Sequence, residues 1–286
     1  MSDEAVKSTV IEAERAQPVG ATTRAGGGER PRRSAYRKRF ALVYVALAVV
    51  AGAAAGSLIV LLGKPDAAPA AKWSAWEPTG SREARALQIA DRIPKEYRLD
   101  NGGQLAVALV GPPAVSAGGE IGEVPVRAIA VRPDTSRGQA EEDDIAIVDA
   151  EDNVMFVLCG LGEACSIAEG KPSEARHALL RREALELSLY TFKYVPDVGS
   201  VTVFLPPRPD GRSATSVFVR RGDVADELSR PLNRTLGTTV PAIGEMPRTE
   251  LQTVNRITLP RLFNYEYQQA QDGSAILILT PVALGA

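Results

Sequence analysis

Two cysteines, a single histidine and one dense run of acids are the residues here whose types suit chemistry beyond packing. Cys159 and Cys165 flank the short stretch Gly160-Leu161-Gly162-Glu163-Ala164, which can turn back tightly. An even cysteine count suits a structural disulfide in a compartment without cytosolic reductants, adding about 2–3 kcal/mol by restricting the unfolded chain. A redox-active pair would call for C-x-x-C spacing, and a zinc site built on these thiols would need His177 plus a carboxylate with no motif behind it. Because His177 is the only histidine, multi-histidine metal sites, HExxH among them, are excluded. A Ser-His-Asp triad would have to use it too, yet no G-x-S-x-G accompanies it. Lying between Glu174 and Arg181, His177 reads as a side chain at a helix edge.

The acidic run comprises Glu141, Glu142, Asp143, Asp144, Asp149, Glu151 and Asp152. Calcium wants six to eight oxygen ligands, but the spacing does not follow an EF-hand, so the run reads as a solvated loop beside a hairpin. Neither G-x-x-x-x-G-K-[ST] nor G-x-G-x-x-G occurs, which removes those routes to nucleotides. No catalytic residue, cofactor or metal ligand is assigned from the sequence.

The elements that must hold these residues begin with an apolar run. Residues 40–63 carry no charge, and Ala41–Leu62 is 22 residues long, roughly 33 Å as a helix against about 30 Å of hydrocarbon. Arg30, Arg32, Arg33, Arg37, Lys38 and Arg39 precede it, whereas Lys64 and Lys72 are the basic residues close behind. Basic flanks stay cytoplasmic, so the expected orientation places the N-terminus inside and the rest outside the cytoplasm of a bacterial envelope. A cleaved signal peptide is the rival, but its apolar region is about 7–15 residues and follows a short charged segment. Gly52 and Gly56 form a GxxxG spacing, which lets two such helices approach closely and makes a homodimer a candidate assembly.

Four regions follow from this: a disordered basic tail over 1–39, a transmembrane helix over 40–63, a stalk over 64–80, and a folded domain over 81–286, in one core or two small subdomains. Residues 1–63 hold nine of the 33 basic and five of the 35 acidic side chains, leaving 24 basic and 30 acidic outside. An acidic domain offers no footprint for nucleic acid. Trp73 and Trp76 suit either the membrane interface or the start of the folded core.

Within the domain, Ser81 should cap a helix carrying Ala86, Ile89, Ala90 and Ile93 on one face and ending at Pro94. Gln104–Gly111 and Val124–Val131 read as strands. Ile145–Asp149 and Val154–Leu158, joined by Ala150-Glu151-Asp152-Asn153, read as a hairpin. A long helix is expected over Ser173–Tyr194, with Leu185, Leu189 and Phe192 on one stripe. Val201–Leu205 and Thr215–Arg220 read as strands around Pro209-Asp210-Gly211, and Val224–Leu236 as a helix interrupted near Pro231. Phe263, Tyr265 and Tyr267 alternate with polar residues before Asp272-Gly273 turns into Ala275–Leu279, expected to be buried on both faces. The fold class is α+β, mixed strands with about three helices.

Glu183–Pro207, EALELSLYTFKYVPDVGSVTVFLPP, resembles the helix-then-strand unit of GerMN-type extracytoplasmic modules, through Tyr190-Thr191-Phe192, Pro196, Val198, Ser200 and Val201. The resemblance covers about 25 residues, and Pro206-Pro207 stands where a glycine-bearing turn is usual. It implies a binding or interaction domain without catalytic residues. The expected function is therefore a membrane-anchored binding protein of the envelope, with the lipid bilayer and an envelope protein or cell-wall polymer as partners. The alternative is a hydrolase-like envelope enzyme whose site is invisible in one sequence.

Overall fold

The computed structural model describes residues 35–62, 72–113, 115–117, 120–122, 125–134, 144–206, 215–269 and 273–283. The chain divides into two compact units, one up to Pro69 and one over Ala70–Ala286. The first contains helix α1 (Ala35–Leu62), whose 28 residues would extend about 42 Å. By length and composition it is the one helix among the described residues apolar enough to cross a membrane, and Arg39–Gly56 is nowhere buried. Gly52 and Gly56 lie one turn apart on it, with open space where a Cβ would stand.

The second unit is mixed α/β. Helix α2 (Arg82–Arg92) starts as its sequence directs, the Ser81 hydroxyl accepting from the Ala84 amide at 3.2 Å, with Ala86, Ile89 and Ala90 turned inward. Pro94 converts the next turn to a tight 3-10 form, Ile93–Glu96, and the chain leaves through Tyr97. Strands β1 (Val107–Val110), β2 (Val115–Ala117), β3 (Glu120–Gly122), β4 (Val126–Val131), β5 (Ala146–Asp149) and β6 (Asn153–Cys159) follow. Helix α3 (Glu174–Tyr194) is capped by the Ser173 hydroxyl, which accepts from the Arg176 amide at 3.1 Å. Beyond it come β7 (Ser200–Phe204), β8 (Thr215–Arg220), the short α4 (Ala225–Ser229), α5 (Arg248–Thr258), β9 (Leu262–Gln269) and β10 (Ala275–Pro281).

Eight strands form one sheet in the order β1-β6-β7-β8-β9-β10-β4-β5, and β2 pairs with β3 separately. Helix α3 connects β6 to its parallel neighbour β7. The pairs β7–β8 and β9–β10 are antiparallel, as the alternating residues around their turns direct, although the Pro209-Asp210-Gly211 turn lies outside the described residues.

The hairpin expected over residues 145–158 is corrected. Both strands exist, and Asn153 N–H closes the turn onto Ala150 C=O at 3.1 Å, but they do not pair. β5 pairs only with β4, while β6 lies between β1 and β7. Six strand spacings separate β5 from β6 in the sheet order, about 29 Å if the sheet were flat. The link from Asp149 to Asn153 spans at most about 14 Å. The sheet must therefore curl until its β5 end returns over β6.

Curling creates two cores. On the outer side of β6, β7 and β8, Val154, Phe156, Leu158, Val201, Val203, Val217 and Val219 meet α2, α3 and α5. Between the folded-over layers, Met155, Phe204, Phe218 and Phe263 meet Ile129, Val131, Leu277 and Leu279. Strand alternation supplies both from the same strands. β10 departs from the expectation of burial on both faces: Ala275, Leu277 and Leu279 are buried, while Ile276 and Ile278 are half-buried. The helices pack on β1, β7 and β8 instead.

The stretch read as a stalk contributes to the first core. Trp73 is 8% exposed and stands edge-on to Tyr190 at 5.4 Å and Tyr194 at 5.7 Å, with Trp76 packed beside them. Of its two readings, Trp73 follows the core one. The expected helix over residues 224–236 is shorter, five residues of α4 before Pro231 and a 3-10 turn over Leu232–Arg234.

Candidate functional site

An opening on the second unit lies between the start of α2, the end of β1 and the start of β4. It is a cleft of about 590 Å³, within the size range of ligand sites. One wall is the first turns of α2, through Arg82, Glu83, Ala86 and Leu87. The other is built from the end of β1 (Val110, Gly111, Pro112) and the start of β4 (Pro125, Val126), and the floor from Ala150, Asn153, Val154 and Met155. The lining is chiefly apolar. Leu87 and Val110 are 57% and 40% exposed, which is unusual for large aliphatic side chains facing each other across a cleft.

Polar groups in the cleft are few. The Asn153 amide nitrogen donates to the Ser200 hydroxyl at 2.8 Å, while its carbonyl oxygen is buried without a partner. Arg82 donates to the Glu151 carbonyl at 2.5 Å, holding α2 against the β5–β6 link. Gly111 has φ +133°, a region that favours glycine, and there the chain turns out of β1 towards Pro112.

β1 is the terminal strand of the sheet, and no strand among the described residues pairs with its outer edge. Gly111 N–H donates to Met155 C=O at 2.9 Å, one rung past Val110↔Phe156. Bonded rungs alternate in an antiparallel ladder, so Leu109 and Val107 face β6 with their amides and carbonyls. Ala108 and Val110 direct theirs away from β6, and of the two Val110 lines the cleft.

A second concentration of chemistry is buried and was not apparent from the sequence. Arg182, with a side chain 1% exposed, donates to Glu250 at 2.7 Å, to the Tyr97 hydroxyl at 2.6 Å, to Glu186 at 3.1 Å and to the Gly237 carbonyl at 2.9 Å. The cluster joins α3, α5, the loop at Gly237 and the segment leaving α2. Burial opposes the guanidinium charge, but Tyr97, Glu186 and Glu250 outweigh it and push its pKa up. Burial, with Glu186 second, pushes the Tyr97 hydroxyl well above its ordinary range. Next to it in sequence, Glu183 is fully buried, and neither of its carboxyl oxygens has a hydrogen-bond partner. Burial raises its pKa well above the usual carboxylate value, Glu186 adds to the rise, and Arg182 opposes it. Arg181 beside them donates to Thr258 and Asn255 of α5, each at 2.8 Å.

Of the residues singled out from sequence, Glu151 and Asp152 lie in the link beside the cleft, and neither the cysteines nor His177 line it. Cys159 and Cys165 form a disulfide, S–S 2.05 Å, at the end of β6. Its loop carries Ala164 and Cys165 in left-handed conformation, φ 50° and 62°, and at Gly160 any Cβ would meet the Ser166 carbonyl oxygen at 2.0 Å. His177 is half-buried in the first turn of α3. Of the acidic run, Glu141, Glu142 and Asp143 lie outside the described residues, and Asp144, Asp149, Glu151 and Asp152 are exposed. No group of three or more His, Cys, Asp or Glu among the described residues is placed to hold a metal ion.

No family model matches this chain, and neither the curated proteins nor the solved structures return a match.

Proposed function

We propose that this protein is a membrane-anchored binding protein whose folded domain, held outside the cytoplasm, takes an extended apolar segment of an envelope protein into the cleft beside β1. The observation that carries this reading is the conjunction of an apolar cleft with a free strand edge. A cleft lined by Leu87, Val110, Pro125 and Met155 suits apolar side chains. Outward amides and carbonyls at Ala108 and Val110 are satisfied as a set by another extended backbone, which a lipid or sugar does not supply.

The topology is part of the same proposal. α1 has the length to span, and the basic cluster Arg30–Arg39 before it favours an inside N-terminus. A disulfide between the two cysteines suits an oxidising compartment. The likeness of Glu183–Pro207 to GerMN-type modules points the same way, towards binding rather than catalysis. Gly52 and Gly56 would bring two copies together in the bilayer.

The test uses the full-length protein in cells, with a photo-crosslinking residue in place of Leu87. A discrete peptide adduct is expected, and Val110→Pro should abolish it, because proline deletes an outward N–H without disturbing a rung to β6. An adduct that survives Val110→Pro, or none at all, refutes the reading. Sidedness is checked separately with a membrane-impermeant maleimide on intact cells. Labelling of Cys159 and Cys165 only after reduction is the expected result, and labelling only after lysis would reverse the orientation.

A further inference from the structure

We infer that Glu183 is carried in the folded domain as a neutral carboxylic acid, and that its proton makes the joint between α3, α5 and Tyr97 sensitive to the pH outside the cell membrane. The inference starts from a count of charges and donors. Around this joint stand two guanidiniums, Arg182 and Arg181, the latter donating to Thr258 and Asn255, and three carboxyls: Glu183 and Glu186 on α3, and Glu250 on α5. The segment leaving α2 adds the Tyr97 hydroxyl, which donates to Glu186 at 2.6 Å. Arg182 spends its donors on Glu250, Glu186, Tyr97 and Gly237. Four of its five N–H donors are so engaged and none reaches Glu183, whose two oxygens are shut from water and receive no hydrogen bond.

A carboxylate in that position would be a buried charge without donors, next to a cation already shared by two other acids. The acid form removes the charge at once, and burial drives the equilibrium towards it. Glu186 is 18% exposed and holds hydrogen bonds from both Tyr97 and Arg182, and Glu250 accepts from Arg182 and from the Gly237 amide. Burial raises the pKa of Glu186 as well, but Arg182 and the Tyr97 hydrogen bond oppose that rise, whereas Glu183 receives no hydrogen bond, which leaves the proton to Glu183. Losing it would leave a buried negative charge without donors, relieved by bringing Glu183 to water. That movement separates α3 from Tyr97 and therefore from the end of α2.

The pH dependence has a definite sign. An unfolded glutamate titrates near 4.3, so above that pH folding must take up a proton on Glu183. The contribution of Glu183 to stability is fully present below about pH 4.3 and is lost as pH rises through the window up to the raised pKa of the folded acid.

The experiment is denaturant unfolding of the full chain in detergent across that window, for the native protein and for Glu183→Gln and Glu186→Gln. For the native protein, one proton costs the folding equilibrium constant about tenfold per pH unit. Glu183→Gln should remove that increment, while Glu186→Gln should leave it. Infrared spectra of the native protein at neutral pH should show the carbonyl stretch of a buried protonated carboxyl, absent in Glu183→Gln. Should the glutamine variant fail to fold, the native spectrum decides alone, since a missing acid band overturns the inference. An unchanged slope in Glu183→Gln, or loss of the band only in Glu186→Gln, overturns it equally.

Discussion

The two halves of the curled sheet are built from similar strands and kept in place by different means. On β6, β7 and β8, one face is roofed by helices, and α3 is buried so fully that 15 of its 21 residues are inside, four of them charged. Ionic ties then hold the roof down: Arg182 and Arg181 fasten α3 to α5, and Arg221 donates to the carbonyls of Phe192 and Val198, closing the end of α3. On β4, β5 and β10, the inner face packs against Phe204 and Phe218, but the outer face is half open, with Ile147 67% exposed. The lesson is that a sheet wrapped on itself needs helices on only part of its outer surface, because its inner faces supply each other's cover.

Four substitutions or treatments would break or sharpen this contrast. Arg182→Ala should cost most, roughly 3–5 kcal/mol, since Glu250 and the Tyr97 hydroxyl lose their buried partner. Urea unfolding checks it, and a loss under about 1 kcal/mol would mean the tie is not holding the roof. Leu277→Ala, in the core between the layers, should cost about 3 kcal/mol, within the span for a fully buried leucine. A much smaller value would show the layers less closely packed than the helix-covered side. Reducing Cys159–Cys165 should cost about 2 kcal/mol because the loop it closes is short, read as a thermal shift with and without reductant. Last, Ile147→Thr should change stability by less than about 0.5 kcal/mol. A substantial loss there would reveal that something covers the outer face.

Much of the framework was legible in the sequence because local rules decide it. Ser81 and Ser173 cap their helices as their types direct, Pro94 ends α2, and the alternation around Tyr265 sets β9 against β10. What escaped depends on distant partners. Ala150-Glu151-Asp152-Asn153 does make a turn, but whether the flanking strands pair is decided by β4, β1 and β7. α5 was missed although Leu251, Val254 and Ile257 recur at helical spacing, because charged and polar neighbours mask so short a stripe. The burial of Arg181, Arg182 and Glu183 had no signal in the sequence, since nothing in a charged residue's type announces that it will be buried. The cleft assembles Leu87, Val110, Pro125 and Met155 from four separate elements, so no spacing could have collected them.

The parallel pairing of β4 with β10 bears on how the domain comes into being. Val126 meets Ala275, so strands made early wait for a partner about 150 residues later in the chain. Because among the described residues β5 is attached only to β4, and β4 reaches the rest of the sheet only through β10, both stay unpaired with it until β10 emerges. Such long-range closure slows folding and leaves apolar strand surface uncovered in the meantime. A ribosome-bound chain ending before Ala275 would hold its helix-covered half together while its second layer remained unmade. β10 is thus the strand that joins the two layers.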